Sequence, residues 1–224
     1  MSKLQHKFIE FCIDSDVLRF GEFKTKAGRL SPYFFNAGLF YTGASLRTLA
    51  DFYARTLIEA IEQGRIQCDM LFGPAYKGIT LAAATAIRMS ELGHDIPFAY
   101  NRKEAKDHGE GGKVVGAPLK GHVVIIDDVI SAGTSVNESV RIIEASGACP
   151  SGVLLALDRM ECSGTAEDVG ERSAVEEVEH KYGMSVVAIA NLADLMEYLK
   201  ESDVKELSAY SSAISDYRAR YGVK

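Results

Sequence analysis

A chain of 224 residues fits one large domain or two small ones. At that length roughly 70% of the unfolded surface can be buried, so a core needs no staples. The composition, 47% hydrophobic and 25% charged, is that of an ordinary soluble globular protein, and a net charge of −6 gives no electrostatic reason to expect nucleic acid as a partner.

The opening segment, MSKLQHKFIEFCID, places Glu10 and Asp14 where a signal peptide would need an uninterrupted apolar core. It reads instead as a helix over 3–18, with Leu4, Phe8, Phe11, Cys12 and Ile13 broadly on one face. GRLSPYFFNAGLF follows as an extended region punctuated by Gly and Pro. A helix over 45–63, a short buried strand CDMLFG and a helix KGITLAAATAIRMSELG ended by Gly93 come next. IPFAYNR and GHVVIID read as strands, SVNESVRIIEASG as a helix, GVLLALDR and SVVAIAN as strands, and the C-terminal segment as a helix. Between two of the strands, NRKEAKDHGEGGK is the most polar stretch and predicts a long mobile loop.

Strands alternating with helices predict an α/β fold with a mainly parallel central sheet flanked by helices. The runs VVII, VLLAL and VVAIA do not alternate, as expected of strands covered on both faces. Residues 1–224 are expected to form a single domain, with residues ~1–40 and ~160–175 making a small cap over the sheet. No apolar run approaches the ~20 residues of a membrane span. Cys12, Cys68, Cys149 and Cys162 form no CxxC pair, so no zinc or redox motif is suggested, and a cytoplasmic location with reduced thiols is expected.

In such sheets ligands bind beyond the carboxyl ends of the strands, where Asp127, Asp128 and Arg159 fall. The stretch VVIIDDVISAGTS drives an apolar strand into two acids that repel each other, so a cation or hydroxyl groups should compensate them. A ribose diol suits them, because a carboxylate accepts strong hydrogen bonds. The small residues that follow let backbone N–H groups approach an anion, and a helix beginning near Val136 directs its positive end to the same place. A plainer reading has the acids solvated and Ser135 with Glu138 forming an SxxE capping box; the box is expected to form in either case. Neither GxxxxGK[ST] nor GxGxxG occurs.

VVIIDDVISAGTS resembles the signature with which type I phosphoribosyltransferases bind phosphoribosyl diphosphate (PRPP). Four further segments resemble the orotate phosphoribosyltransferase family. RKEAKDHGEGG is similar to its catalytic loop, FGPAYKGI to its diphosphate loop, SPYFFNAG to its orotate-binding segment, and LDR, ending at Arg159, to the arginine that meets orotate. The resemblance implies the type I phosphoribosyltransferase fold with an N-terminal hood, Mg2+ held mainly through PRPP and water with no direct protein ligand, and a homodimer whose catalytic loop is shared across the interface. From the charge and the apolar runs, no nucleic acid and no membrane are expected as partners.

Carried over residue by residue, it implies catalytic roles for Lys103, Lys106 and His108. PRPP would be bound by these three with Lys26, Tyr76, Lys77, Arg102, Asp127, Asp128, Val129, Ile130, Ser131, Ala132, Gly133, Thr134 and Ser135, and orotate by Phe34, Phe35, Ser131 and Arg159. Simpler roles compete. Lys26 would suit a solvated surface, Tyr76 and Lys77 an ordinary helix start, the 102–112 segment a charged loop, and Arg159 a structural pair with Asp158 or Glu161. Phe34 and Phe35, adjacent in an extended segment, point to opposite faces, so at most one is buried in the sheet direction. A purine phosphoribosyltransferase or a PRPP-binding regulator on the same fold remains the alternative. His6, His94, His122 and His180 match no motif and are expected to be structural.

Overall fold

A computed structural model describes residues 1–106, 112–130, 133–201 and 209–223. In chain order these form α1 (Lys3–Asp14), β1 (Leu18–Lys24), β2 (Leu30–Phe35), α2 (Gly43–Glu62), β3 (Met70–Gly73), α3 (Lys77–Glu91), β4 (Phe98–Lys106), β5 (Gly112–Gly116) and β6 (His122–Asp127). They continue as α4 (Thr134–Ala145), β7 (Cys149–Asp158), β8 (Cys162–Gly164), β9 (Val169–Ser173), α5 (Ala174–Tyr182), β10 (Ser185–Asn191), α6 (Leu192–Glu201) and α7 (Tyr210–Tyr221).

Six of the described strands make one sheet in the order β10-β7-β6-β3-β4-β5. All neighbours are parallel except β5, which returns antiparallel to β4 at the edge. The unbroken apolar runs follow from burial on both faces. Val124, Ile126, Leu154 and Ala156 join a core with residues of α1, α2, α3, α6 and α7, while Val123, Ile125, Val153 and Leu155 join a second core with residues of α4 and α5. Alternation along each strand therefore sorts one hydrophobic run into two cores.

Three helices begin where a hydroxyl meets the otherwise unpaired N–H groups of the first turn. Ser2 with Gln5, Thr42 with Ser45 and Ser173 with Glu176 each form a reciprocal capping box. The first helix stops at Asp14, short of the expected residue 18, because Asp16 adopts a φ of 56° and turns the chain into β1. A second difference concerns the polar 101–113 stretch. Arg102 through Lys106 are not loop but a continuation of β4, whose backbone pairs with β5 as far as Lys106 opposite Gly112, across a register shift.

Two antiparallel hairpins, β1–β2 and β8–β9, lie outside the main sheet. A buried arginine joins them. Arg29, 2% exposed, donates from Nη1 to the Cys162 carbonyl at 2.8 Å, from Nη2 to Ser163 at 3.1 Å, and from Nε and Nη2 to Thr165 at 3.2 Å each. Its guanidinium also lies 4.7 Å from the Tyr221 ring, which ties α7 to both hairpins. A buried cation is tolerated here because its fork is almost fully hydrogen-bonded.

Candidate active site

Asp127 ends β6 and Asp128 follows it, 9% and 6% exposed respectively. Their backbone is fixed from two sides. The phenol of Tyr53, fully buried on α2, donates to the Asp127 carbonyl at 2.8 Å, and the Asp128 carbonyl accepts from the N–H groups of Ala156 and Leu157 on β7 at 3.0 and 3.2 Å. The two carboxylates are compensated in different ways. Asp127 accepts from its neighbour's N–H at 2.9 Å and from the Ser135 hydroxyl at 2.8 Å, whereas Asp128 accepts from the Lys77 ammonium at 2.6 Å. Burial, and then the charge of Asp128, push the Asp127 carboxyl from 3.8 up to about 6.

Lys77 reaches Asp128 from the first residue of α3, a position at which the helix dipole disfavours a cation. The preceding turn is folded hard against the sheet. A side chain at Gly73 would collide with the Gly78 carbonyl, and one at Gly78 would come within 2.9 Å of the Ile126 carbonyl, so only glycine fits either place. The Ala75 N–H donates to Oδ1 of buried Asn101 on β4 at 2.7 Å, and Tyr76 projects outward, 73% exposed. The first turn of α3 has no side-chain cap, leaving its N–H groups directed at this corner.

The start of α4 differs from the expected capping box. Gly133, at a φ of 66°, is the N-cap, and no side chain caps the helix. This left-handed residue puts Ser135 inside the first turn, where its hydroxyl serves Asp127 instead. Glu138 points across to β4, with Oε1 3.5 Å from Asn101 Nδ2 and Oε2 3.8 Å from Lys103 Nζ. Uncapped N–H groups at a helix start beside small residues suit an anion.

A second group of residues is built on β2 and the end of β7. Phe35 is buried, while Phe34 on the opposite face is 37% exposed and stacks on Phe23 with centroids 5.4 Å apart. Arg159 follows β7 and lies over the Tyr33 ring at 4.7 Å. Its Nε and Nη2 donate to Glu161 Oε1 at 2.8 and 2.6 Å, and Nη2 also donates to Ser31 Oγ at 3.3 Å. Burial opposes its charge, but the Tyr33 phenol and the Glu161 carboxylate outweigh it and hold its pKa above the ordinary arginine value.

A model of the phosphoribosyl transferase domain matches residues 46–169. The chain is 61% identical to an orotate phosphoribosyltransferase of Herminiimonas arsenicoxydans, over the whole of both chains. It is 62% identical to one of Cupriavidus necator, over 98% of this chain and 95% of the relative. The chain belongs to the orotate phosphoribosyltransferase family. Among solved structures, an orotate phosphoribosyltransferase of Francisella tularensis superposes with a TM-score of 0.82 at 40% identity, covering 96% of this chain and 99% of that one. The mostly parallel sheet flanked by helices is therefore the type I phosphoribosyltransferase fold of this family.

Set against the orotate phosphoribosyltransferase motifs, the residues separate into two groups. Lys77, Asp127, Asp128 and Ser135 meet at the end of β6, with Val129 and Ile130 half-buried beyond them and Gly133 and Thr134 opening α4. Arg102 and Lys103 lie on β4, and Lys106 ends it. Arg159 belongs to the second group with Ser31, Tyr33 and Glu161, Phe34 lies on the other face of β2 against Phe23, and Lys26 is exposed in the turn between β1 and β2. His108, Ser131 and Ala132 fall outside the described residues. Tyr53, Asn101 and Glu138 were pointed to by no functional motif. Each acts on a distant segment, and the local sequence carries no mark of that.

Proposed function

We infer that the two groups act in one reaction: transfer of the 5-phosphoribosyl group from PRPP to orotate, giving orotidine 5'-monophosphate and diphosphate, a step of de novo pyrimidine synthesis. The observation that carries the reading is the end of β6, where a buried acid pair is met by a lysine at 2.6 Å and a serine hydroxyl at 2.8 Å beside an uncapped helix start. Ribose hydroxyls are the donors that Asp127 and Asp128 would accept, and the 5'-phosphate is the anion that residues 131–135 would cradle. Val129 and Ile130 would pack beneath the sugar.

As diphosphate leaves the anomeric carbon, positive charge develops on the ribose ring and negative charge on the leaving group. Asp127 and Asp128 would stabilise the first. Lys26, Tyr76, Lys77, Arg102, Lys103, Lys106 and His108 would bind or offset the second, and electrostatic stabilisation of this kind is the strongest means such a site has of lowering the barrier. Lys77 would have to leave Asp128 to do so, and its side chain, 52% exposed, has room to move. Phe34 and Phe35, partly through their main chain, with Ser131 and Arg159 would hold orotate, whose N1 attacks directly, with no covalent intermediate.

Magnesium is the cofactor we propose. The hard carboxylate oxygens at this corner are compatible with it, and it would be held mainly by PRPP and water. When bound, it would offset charge on the diphosphate. We further propose a single domain in which residues ~1–40 and ~160–175 cap the site, supported by the Arg29 link between the two hairpins. The expected setting is the cytoplasm; no described helix is long and apolar enough to cross a membrane.

In a homodimer sharing its catalytic loop, inactive Lys103→Ala/Lys106→Ala and Arg159→Ala proteins should regain activity as hybrids after subunit exchange. Inactivity at demonstrated exchange would remove the shared-site proposal. The reaction itself is tested by following orotate absorbance with PRPP and Mg2+ in the presence of hypoxanthine, adenine and uracil. Orotate should be consumed in preference to the other three, and no consumption by folded protein would reject the reading.

A further inference from the structure

Arg159 is held by a feature of the fold that lies outside the motifs. It is followed by Met160, whose φ of 51° is a left-handed conformation that a methionine adopts only when its surroundings impose it. The Asp158 carboxylate accepts from the Met160 N–H at 2.8 Å, and the Met160 carbonyl accepts from the Val223 N–H at 3.0 Å. Glu161 then pairs with Gly222 in an antiparallel bridge. The segment just past α7 therefore fastens this turn, and the turn sets the Glu161 side chain against Arg159.

The Glu161 carboxylate is a hub for three elements. Oε1 accepts from Arg159 Nε at 2.8 Å, Arg159 Nη2 at 2.6 Å and Tyr33 Oη at 3.2 Å, while Oε2 lies 3.8 Å from Arg29 Nη1. The Arg159 and Glu161 side chains are 17% and 16% exposed, so solvent screens the pair little. With Nε and Nη2 committed and the guanidinium lying over Tyr33, the plane of Arg159 is set on one edge and one face.

We propose that Glu161 is a positioning residue that determines acceptor recognition: it fixes the guanidinium of Arg159 so that its remaining N–H groups meet the acceptor base in one orientation. This rests on the reading of Arg159 as the orotate-side arginine. An uncompensated arginine attracts any anion. One already paired to a carboxylate carries little net charge, so recognition depends on where its donors point, and a planar acceptor is selected by hydrogen-bond geometry. Gln at position 161 retains an acceptor oxygen for Nε and Nη2, and Ala retains none.

The test is steady-state kinetics on the full-length enzyme, with orotate and PRPP varied separately, for wild type, Glu161→Ala, Glu161→Gln and Tyr33→Phe. Misplacing a binding group by about 1 Å costs on the order of 100-fold, so Glu161→Ala should raise KM for orotate on the order of 10- to 100-fold while KM for PRPP stays within about twofold. Glu161→Gln should recover most of that loss. Tyr33→Phe removes only the phenol hydroxyl from the hub and should raise KM for orotate about fivefold, which keeps the proposal open to refutation if the alanine variant does not fold. An unchanged orotate KM in folded Glu161→Ala, a parallel rise in both KM values, or a Gln variant no better than Ala would overturn the positioning role and leave the reaction itself intact. A wild type that consumes no orotate would overturn both.

Discussion

The two groups of residues proposed to bind PRPP and orotate, the donor and acceptor ends of that reading, hold charge in opposite ways. At the donor end, a lysine whose side chain is 52% exposed rests on an aspartate whose side chain is 8% exposed; at the acceptor end, the side chains of Arg159 and Glu161 are 17% and 16% exposed. A compact ammonium on a flexible stem can leave its partner when a phosphate competes for it. A guanidinium gripped at Nε and Nη2 and lying over an aromatic ring is in place before any ligand arrives, and rigid placement of this kind reduces the entropy lost on binding. On the proposed reading, the donor end would be suited to rearrangement by its substrate, and the acceptor end to selection.

Removing the frame beneath the acceptor end should have the largest effect. Arg29→Ala would remove the guanidinium donors that meet the carbonyls of Cys162, Ser163 and Thr165, and the second cation beside Glu161. A loss of about 3–5 kcal/mol in urea unfolding is expected. A loss under about 1 kcal/mol would mean the hairpins do not depend on this arginine. Next comes the donor end. Asp128→Asn removes the charge that meets Lys77, and kcat/KM for PRPP should fall about 100- to 1000-fold, with no loss of stability because Lys77 is half in solvent and the repulsion between the two acids is relieved.

Asp127 sharpens the contrast in the other direction. Its carboxyl titrates near 6 in the fold against 3.8 in the unfolded chain, so the folded state favours the protonated form. That contribution to stability is full below about pH 3.8 and is lost as pH rises through about 6. Asp127→Asn should therefore be more stable than wild type at pH 7.5, by roughly 1–3 kcal/mol, with the gap closing toward pH 4. Its turnover should nonetheless fall, since an amide accepts a ribose hydroxyl more weakly. Equal stability at both pH values would show that Asp127 is not strained by burial.

The parts of this site legible in the sequence are those where a local pattern changes abruptly. The runs ending at Asp127 and Asp158 are apolar on both faces, and the first charged residue after each marks a strand terminus. Phe34 and Phe35 could be assigned to opposite faces from adjacency alone. Long-range pairing left no such mark. Arg29 reads as a surface residue because arginines usually are, yet it is 2% exposed. Residues 102–106 look like loop because charged residues rarely favour strands, and only the β5 partner makes them one. Ser135 and Glu138 have the spacing of a capping box, but the left-handed Gly133 moves the helix start, and Asp127 and the β4 side chains take the two groups instead.

The separation of the two ends is tested most directly by measuring KM for PRPP and for orotate in Asp128→Asn and Arg159→Lys. The lysine cannot reproduce a two-point grip on Glu161. Two independent ends predict a double dissociation: Asp128→Asn raises KM for PRPP on the order of tenfold or more and leaves that for orotate within about threefold, and Arg159→Lys does the reverse. Both variants shifting the same constant, or shifting the two constants together, would contradict that independence.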